Sequence, residues 1–256
     1  MAELVRPDGC RIYYEVHGDP SRAPLVLLEG MGGDIPGWRR NIPHLAAECF
    51  VVAYDHRGNG RSEAPDAPTT MATFVDDLLA LLDELRLERA HVYGQSFGGM
   101  VAQEAGLTHP ERVRTLILAC THPGHSHIVP SQGKAPKDRP WLQLYSLSFA
   151  ATHPEHVEDD LRVGREQPQH PEGQRRQLEA VQAWDAYDRL PALRVPTLVL
   201  HGSDDLMIDA GNARLLASRI PDAELVLLEG AGHVYHSEQA DRADAVVLDF
   251  LRRHAG

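Results

Sequence analysis

The most informative stretch of this sequence is HVYGQSFGGM, from His91 to Met100. A short apolar run ends at Gly94 and helical periodicity begins near Phe97, so only a sharp turn separates a strand from a helix. The turn reads Gly-x-Ser-x-Gly, with Ser96 at its centre. We predict that Ser96 has a strained backbone, which places its hydroxyl at the tip of the turn and at a helix N-terminus.

The same alternation of strand and helix extends along the chain. After the half-exposed run Arg11–Val16, the apolar runs typical of strands buried on both faces are Pro24–Gly30, Phe50–Asp55, His91–Gly94, Thr115–Cys120, Thr197–Gly202 and Glu224–Gly230. Helical patterns occupy Met71–Leu87 and segments that start near Phe97, Ala210 and Ser237. The pattern predicts an α/β fold with a doubly wound, mostly parallel sheet.

One region interrupts this alternation. No strand-like run occurs between about residues 121 and 189, and a structureless loop of that length would be unusual in a compact domain. Two segments have helical character, WLQLYSLSFAA and GQRRQLEAVQAWDAYDRL. We therefore predict one core formed by residues 1–121 and 190–256, with a small helical cap inserted as residues 122–189.

The composition excludes several classes of protein. The 25 Lys and Arg residues are outnumbered by 37 Asp and Glu residues, and the formal charge of −12 disfavours nucleic acid and anionic membranes as partners. No stretch approaches the ~18 apolar residues of a membrane span, and the N-terminal sequence lacks the pattern of a secretory signal. Because the three cysteines are widely spaced, we expect buried free thiols and no metal site. Without a signal or span pattern we expect a cytoplasmic location, and we expect no cofactor.

A serine on such a turn needs a base to remove its proton, because the hydroxyl is a poor nucleophile near neutral pH. Among the 15 histidines, His233 is the candidate. It follows the strand-like run that ends at Gly230, and catalytic groups collect at the carboxyl edge of a parallel sheet. His236 is a weaker candidate, for which pocket lining and a surface position are the alternatives.

The third group must be a carboxylate that fixes the imidazole tautomer and stabilises its charged form. Asp204 and Asp205 both follow the strand-like run that ends at Gly202. The order along the chain is then nucleophile, acid and base, which accompanies a Gly-x-Ser-x-Gly turn between a strand and a helix.

The segments GQSFGGMVAQ, HGSDD and GAGH, in this order, resemble the α/β-hydrolase superfamily, especially its esterases, enol-lactonases and cofactor-free haloperoxidase-like members. The resemblance extends from Tyr13 to Phe250. Since the family's acid usually follows a strand as Gly-x-x-Asp, it favours Asp205 over Asp204. The resemblance implies hydrolysis of a carboxylic ester or lactone through an acyl-enzyme. Perhydrolysis, carbon–carbon bond hydrolysis and a noncatalytic receptor are alternatives on the same fold.

Acyl transfer also requires hydrogen-bond donors for the oxyanion that forms during attack. The N–H of Phe97 is one candidate. By resemblance the second donor comes from the loop after Pro24–Gly30, with Met31 as the candidate and Gly32 as the alternative. Where the family often has histidine before this loop, the chain has Glu29. A carboxylate facing an oxyanion would oppose its charge, so we expect Glu29 to point away, to be paired or to be protonated. We favour a structural substitution of which only the backbone matters.

Apolar residues of the predicted cap recur at helical spacing, and Trp184 falls on the second of its two helices. They are candidates for the core of the cap and for a mostly apolar pocket. We expect a small or medium, uncharged acyl or lactone substrate, whereas a Glu29 that faces the pocket would favour a cationic or hydrogen-bonding one. Candidate pocket residues are Gly30, Gly32, Trp38, His122, Trp141, Tyr145 and Trp184.

Overall fold

The computed structural model describes residues 2–63, 67–168 and 170–254, so the predicted limits 1 and 256 and residue 169 of the cap lie outside it. The strands are β1 (Ala2–Val5), β2 (Arg11–His17), β3 (Pro24–Leu28), β4 (Phe50–Tyr54), β5 (Ala90–Gln95), β6 (Val113–Ala119), β7 (Thr197–Gly202) and β8 (Glu224–Leu228). The α-helices are α1 (Ile42–Ala46), α2 (Met71–Glu84), α3 (Phe97–Thr108), α4 (Leu147–Thr152), α5 (Pro154–Glu166), α6 (Pro171–Gln182), α7 (Gly211–Arg219), α8 (Tyr235–Glu238) and α9 (Ala240–Arg253).

The strands form one sheet in the order β1-β2-β4-β3-β5-β6-β7-β8. β2 pairs antiparallel with β1 and β4, and the pairs from β4 to β8 are parallel. The prediction of a doubly wound, mostly parallel α/β sheet is therefore confirmed. β1 was not predicted, because this short edge strand buries only Leu4 and lacks a clear alternating pattern.

Side chains on the two faces of the sheet belong to separate apolar clusters, as the pleat of a strand requires. In β3, Leu25 and Leu27 pack in the cluster that contains α1 and α9, whereas Val26 packs in the cluster that contains α2 and α3. Helices on both faces explain why β3 and β4 are apolar along their whole length. The same prediction was wrong for β8, whose residues are partly exposed except Leu228, because β8 lies at the edge of the sheet.

The segment between β6 and β7 is largely helical. Pro140–Leu144 forms a 3-10 helix, and α4 begins after Ser146, whose hydroxyl accepts a hydrogen bond from Phe149 N at 3.1 Å. This N-cap hydrogen bond begins a new helix and so divides the single helix that we predicted from Trp141. α5 was not predicted, because Val157 is its only buried residue and no apolar stripe marks it.

The second helix of this segment is shorter than the sequence pattern suggested. α6 ends at Gln182, and its C-cap residue is Ala183. Trp184 therefore lies beyond the helix on which it was predicted.

The cysteines and the helices bear on two of the expectations drawn from composition. Cys10, Cys49 and Cys120 are buried and form no disulfide, as expected. Within the described ranges, every helix is too short or too polar to traverse a lipid bilayer.

Candidate active site

The turn between β5 and α3 holds Ser96 with φ 52° and ψ −112°. A positive φ is unfavourable for a residue that carries a side chain, so the surrounding chain must enforce it. A Cβ added to Gly94 would lie 2.2 Å from Gly98 O, and one added to Gly98 would lie 2.3 Å from Leu28 O. Only glycine fits at both positions. Ser96 N donates to Ala119 O at 2.7 Å, which ties the turn to the neighbouring strand.

The loop after β8 places His233 beside a buried carboxylate. His233 Nδ1 lies 2.7 Å from Asp205 Oδ2, and the two side chains are almost fully buried. The other oxygen, Oδ1, accepts from the backbone N–H groups of Met207 and Ile208 at 2.8 and 2.9 Å. With the carboxylate accepting from Nδ1–H, the free lone pair of His233 is on Nε2, which is the tautomer that a general base requires.

The carboxyl group of Asp205 is kept ionised. Burial raises its pKa, but the charge and hydrogen bonds of His233 and His201 outweigh burial and hold the pKa below its ordinary value. His201 Nε2 lies 3.2 Å from Asp205 Oδ2, a contact that sequence analysis did not anticipate. Asp204 is exposed, and its Oδ1 accepts from the Ser203 hydroxyl at 2.8 Å. The structure thus brings Asp205, rather than Asp204, to the imidazole.

Hydrogen bonds connect the serine turn to the loops that carry the other candidates. Gln95 Nε2 donates to the carbonyl of His233 at 2.8 Å, and Thr121 Oγ1 donates to the carbonyl of Ser96 at 2.8 Å. Among the described residues, the hydrogen bonds of His233 do not include one from the Ser96 hydroxyl. Such catalytic bonds are often long or poorly aligned without substrate, so Ser96 and His233 both stay candidates.

The loop after β3 carries the candidate oxyanion donors. Gly32 N donates to Gln177 Oε1 of α6 at 3.1 Å, so this alternative donor is already engaged. Met31 is 40% exposed, and its thioether has no hydrogen to donate, so the candidate donor is its backbone N–H. Phe97 is the first residue of α3, where N–H groups have no partner within the helix. Phe97 and Met31 remain the predicted donors.

A cavity of about 580 Å³ lies next to this loop. It is bordered by the loop after β3, by the residues that follow His233, and by the helical segment between β6 and β7. Residues of its wall include Glu29, Gly32, Tyr145, Asp160, Val234 and His236. Two of the predicted pocket residues, Gly32 and Tyr145, therefore border this space.

Two predicted pocket residues belong to the core instead. Trp38 is buried with its ring centroid 4.8 Å from the rings of Tyr93 and His236. Trp184 is also buried, and its indole N–H donates to Glu104 Oε2 at 2.7 Å. Large aromatic side chains of this kind contribute most when they are enclosed, and the sequence alone does not show which element encloses them.

Three other predicted pocket residues lie outside the lining of this cavity. Trp141 borders a second cavity of about 410 Å³ within the helical segment. His122 is buried, and its Nδ1 accepts from Gly124 N at 3.2 Å. Gly30 lies against the serine turn, where an added Cβ would be 3.4 Å from Ser96 Cβ. Gly30 is thus close to the candidate nucleophile, although it does not line the cavity.

Glu29 is buried and faces the cavity. It is 8% exposed, and among the described residues its Oε2 has no hydrogen-bond partner. His236 Nε2 lies 4.0 Å away, which exceeds hydrogen-bond distance. Burial, with a further contribution from the charge of Asp34, raises the pKa of Glu29 to about 7. Of the arrangements that we expected, Glu29 fits a carboxyl group that is partly protonated near neutral pH.

Replacing Glu29 by glutamine is expected to stabilise the protein, and most strongly at high pH. The folded-state pKa of about 7 lies above the ordinary value of 4.5, so stability is lost as pH rises through this window. A pKa unit corresponds to about 1.4 kcal/mol, and since the glutamine amide is also buried we expect a gain of about 1–2 kcal/mol at about pH 8. Urea unfolding of both proteins at about pH 5 and pH 8 measures it. A gain that does not grow with pH would contradict the assignment.

The chain is similar to known proteins over most of its length. A model of the family described as alpha/beta hydrolase fold matches residues 23–171 and 158–240. The chain belongs to this family. A protein of Azorhizobium caulinodans named "Putative carbamate hydrolase RutD" is 30% identical, over 93% of this chain and 94% of its own length.

Solved structures agree with this assignment. The enol-lactonase from Burkholderia xenovorans LB400 superposes with a TM-score of 0.87 at 27% identity, covering 98% of this chain and all of the other. A thermophilic esterase from Thermogutta terrifontis gives a TM-score of 0.85 at 25% identity, covering 100% of this chain and 99% of the other. The predicted superfamily is confirmed, and the chain is a hydrolase of this fold.

Proposed function

We propose that the protein hydrolyses a carboxylic ester or lactone through an acyl-enzyme, with Ser96 as nucleophile, His233 as base and Asp205 as the orienting acid. The observation that carries this proposal is the 2.7 Å contact between His233 Nδ1 and Asp205 Oδ2, at the same sheet edge as the positive-φ serine. An orienting carboxylate and a serine raised on a strained turn are the parts that acyl transfer requires.

In the proposed reaction, Ser96 Oγ attacks the carbonyl carbon while its proton passes to His233 Nε2. The N–H groups of Phe97 and Met31 donate to the oxyanion, and the Asp205 carboxylate stabilises the imidazolium. When the tetrahedral intermediate collapses, the bond to the alcohol oxygen breaks and that oxygen takes the proton from His233. Water then attacks the acyl-enzyme with His233 again as base, which releases the acid and restores the serine.

A carbamate is a second candidate substrate. The relative from Azorhizobium caulinodans, at 30% identity over nearly the whole chain, has carbamate hydrolase in its name. A carbamate presents the same carbonyl to Ser96, and its nitrogen carries N–H groups that an ester lacks. The chemistry of attack and collapse is otherwise the same as for an ester.

Labelling with a fluorophosphonate tests the nucleophile. We expect one adduct per folded chain, because the reagent reacts with an activated serine hydroxyl, and loss of the adduct in Ser96→Ala. Ser218→Ala, which removes an exposed hydroxyl on α7, is the matched control and should label like the wild type. A folded wild-type protein that does not label would instead support a noncatalytic receptor.

A substrate panel then separates the chemistries. Para-nitrophenyl esters, lactones, carbamates and 2-hydroxy-6-oxo acids are compared by kcat/KM, and perhydrolysis is followed with peroxide as the acceptor. We expect esters or lactones to give the highest kcat/KM. A carbamate that exceeds both by an order of magnitude would establish the second candidate, and turnover confined to the oxo acids would overturn both.

A further inference from the structure

Two buried polar groups with unused hydrogen-bonding capacity meet at the wall of the 580 Å³ cavity. Glu29 and His236 both line it, and they are 8% and 2% exposed. Among the described residues, Glu29 Oε2 and His236 Nδ1 have no hydrogen-bond partner, and His236 Nε2 has only its contact with Glu29 Oε2, which exceeds hydrogen-bond distance. Leaving buried polar atoms unpaired is costly, and a ligand that pairs with such an atom removes the cost.

Both side chains are held in place without satisfying each other. Glu29 Oε2 and His236 Nε2 are 4.0 Å apart, a gap that a small polar group can bridge by contacting both atoms. The imidazole packs on Trp38 with ring centroids 4.8 Å apart. On the other side, a Cβ added to Gly37 would lie 3.1 Å from Glu29 Oε2, so the backbone closes over the carboxyl group. The pair is therefore preorganised.

The charges around the pair decide which ligand atom suits it. Burial lowers the pKa of His236 to about 4, so the imidazole is neutral and has a lone pair. Asp34 adds negative charge near Glu29. The arginines that line this cavity are engaged, since Arg39 pairs with Asp159 at 2.8 Å and Arg165 pairs with Glu158 at 2.7 Å. Above the pKa of Glu29, the wall therefore presents acceptors in a negative field, which attracts a donor and repels an anion.

We propose that Glu29 and His236 form a recognition site for a substrate group that is remote from the scissile carbonyl and carries N–H donors, of the class of a primary amide. One N–H donates to Glu29 Oε2 and the other to His236 Nε2, which is the acceptor when the neutral imidazole carries its proton on Nδ1. This specificity rests on the proposed hydrolysis at Ser96. An apolar group of the same shape leaves both acceptors unpaired, and a carboxylate is repelled.

Esters matched in shape test this site. One six-carbon acyl chain ends in a carboxamide, an isopropyl group or a carboxylate, each as its para-nitrophenyl ester, and a second series carries the same ends on the alcohol side. In the series whose end reaches the cavity, we expect kcat/KM for the carboxamide to exceed that for the isopropyl ester by on the order of tenfold, with the carboxylate slowest. Ratios within one enzyme preparation cancel differences in the active fraction.

Variants assign the preference to the pair. Glu29→Gln should raise kcat/KM for the carboxylate relative to the isopropyl ester, because the like charge is gone. His236→Phe should reduce the carboxamide preference while keeping a ring in contact with Trp38. Glu111→Gln, an exposed site before β6 at the opposite sheet edge, removes the same charge and should leave all ratios unchanged. Equal rates for the three ends, or ratios that neither variant changes, would overturn the recognition site while hydrolysis stands. If the protein cleaves none of the esters, the proposed function itself is wrong.

Discussion

The Ser96→Ala variant is expected to lose ester turnover by at least about four orders of magnitude in kcat. The methyl group cannot attack a carbonyl, and the reaction left to the site is attack by water near the oxyanion donors. Alanine at φ 52° has the same backbone strain as serine, so the free energy of unfolding should change by less than about 1 kcal/mol.

Stopped or continuous assays with a para-nitrophenyl ester measure the rate, and urea unfolding measures the stability. Ser218→Ala provides the matched control for preparation and handling. If Ser96→Ala kept more than about a tenth of the wild-type kcat, Ser96 would not be the nucleophile and the proposed function would be wrong.

Asp205→Asn is expected to lower kcat by about three to four orders of magnitude. The two backbone donors from Met207 and Ile208 can still bind the amide oxygen, so the side chain stays in place. The amide nitrogen then faces His233 Nδ1 and donates to it, which moves the imidazole proton to Nε2. A base protonated on Nε2 cannot accept the proton of Ser96.

Asp204→Asn is the control one residue away. Its side chain is exposed and its oxygen contacts only a neighbouring hydroxyl among the described residues, so we expect kcat to change by less than about threefold. Comparison of both variants on one ester, with circular dichroism to verify folding, completes the test. A greater loss in Asp204→Asn than in Asp205→Asn would refute the assignment of the acid.

Local patterns were sufficient to predict much of this fold. The turn around Ser96 combines a strand, two spaced glycines and a helix within ten residues, and the parallel sheet follows from runs that are apolar on both faces. The choice between Asp204 and Asp205 rested on resemblance to a family, and backbone donors and an imidazole from another loop now distinguish the two carboxylates.

Other features depend on contacts between distant segments, which no single stretch reveals. The sequence pattern predicted Trp184 as a pocket residue, but its indole N–H donates to Glu104 of α3. His201 lies within an apolar strand, and only the path of the chain after β7 brings Asp205 back to it. The sequence also did not show which way Glu29 points. Its side chain occupies space beside Gly33 and Gly37 that a larger residue at either position would fill.

The amide of Gln177 joins three separate parts of the chain. Its oxygen accepts from Gly32 N, and its nitrogen donates to Asn59 Oδ1 at 3.0 Å. A displacement of α6 away from the loop after β3 must break this bridge and release the backbone beside Met31. The order of the loop that carries the candidate oxyanion donor therefore depends on the seating of α6, a helix far from it in the sequence.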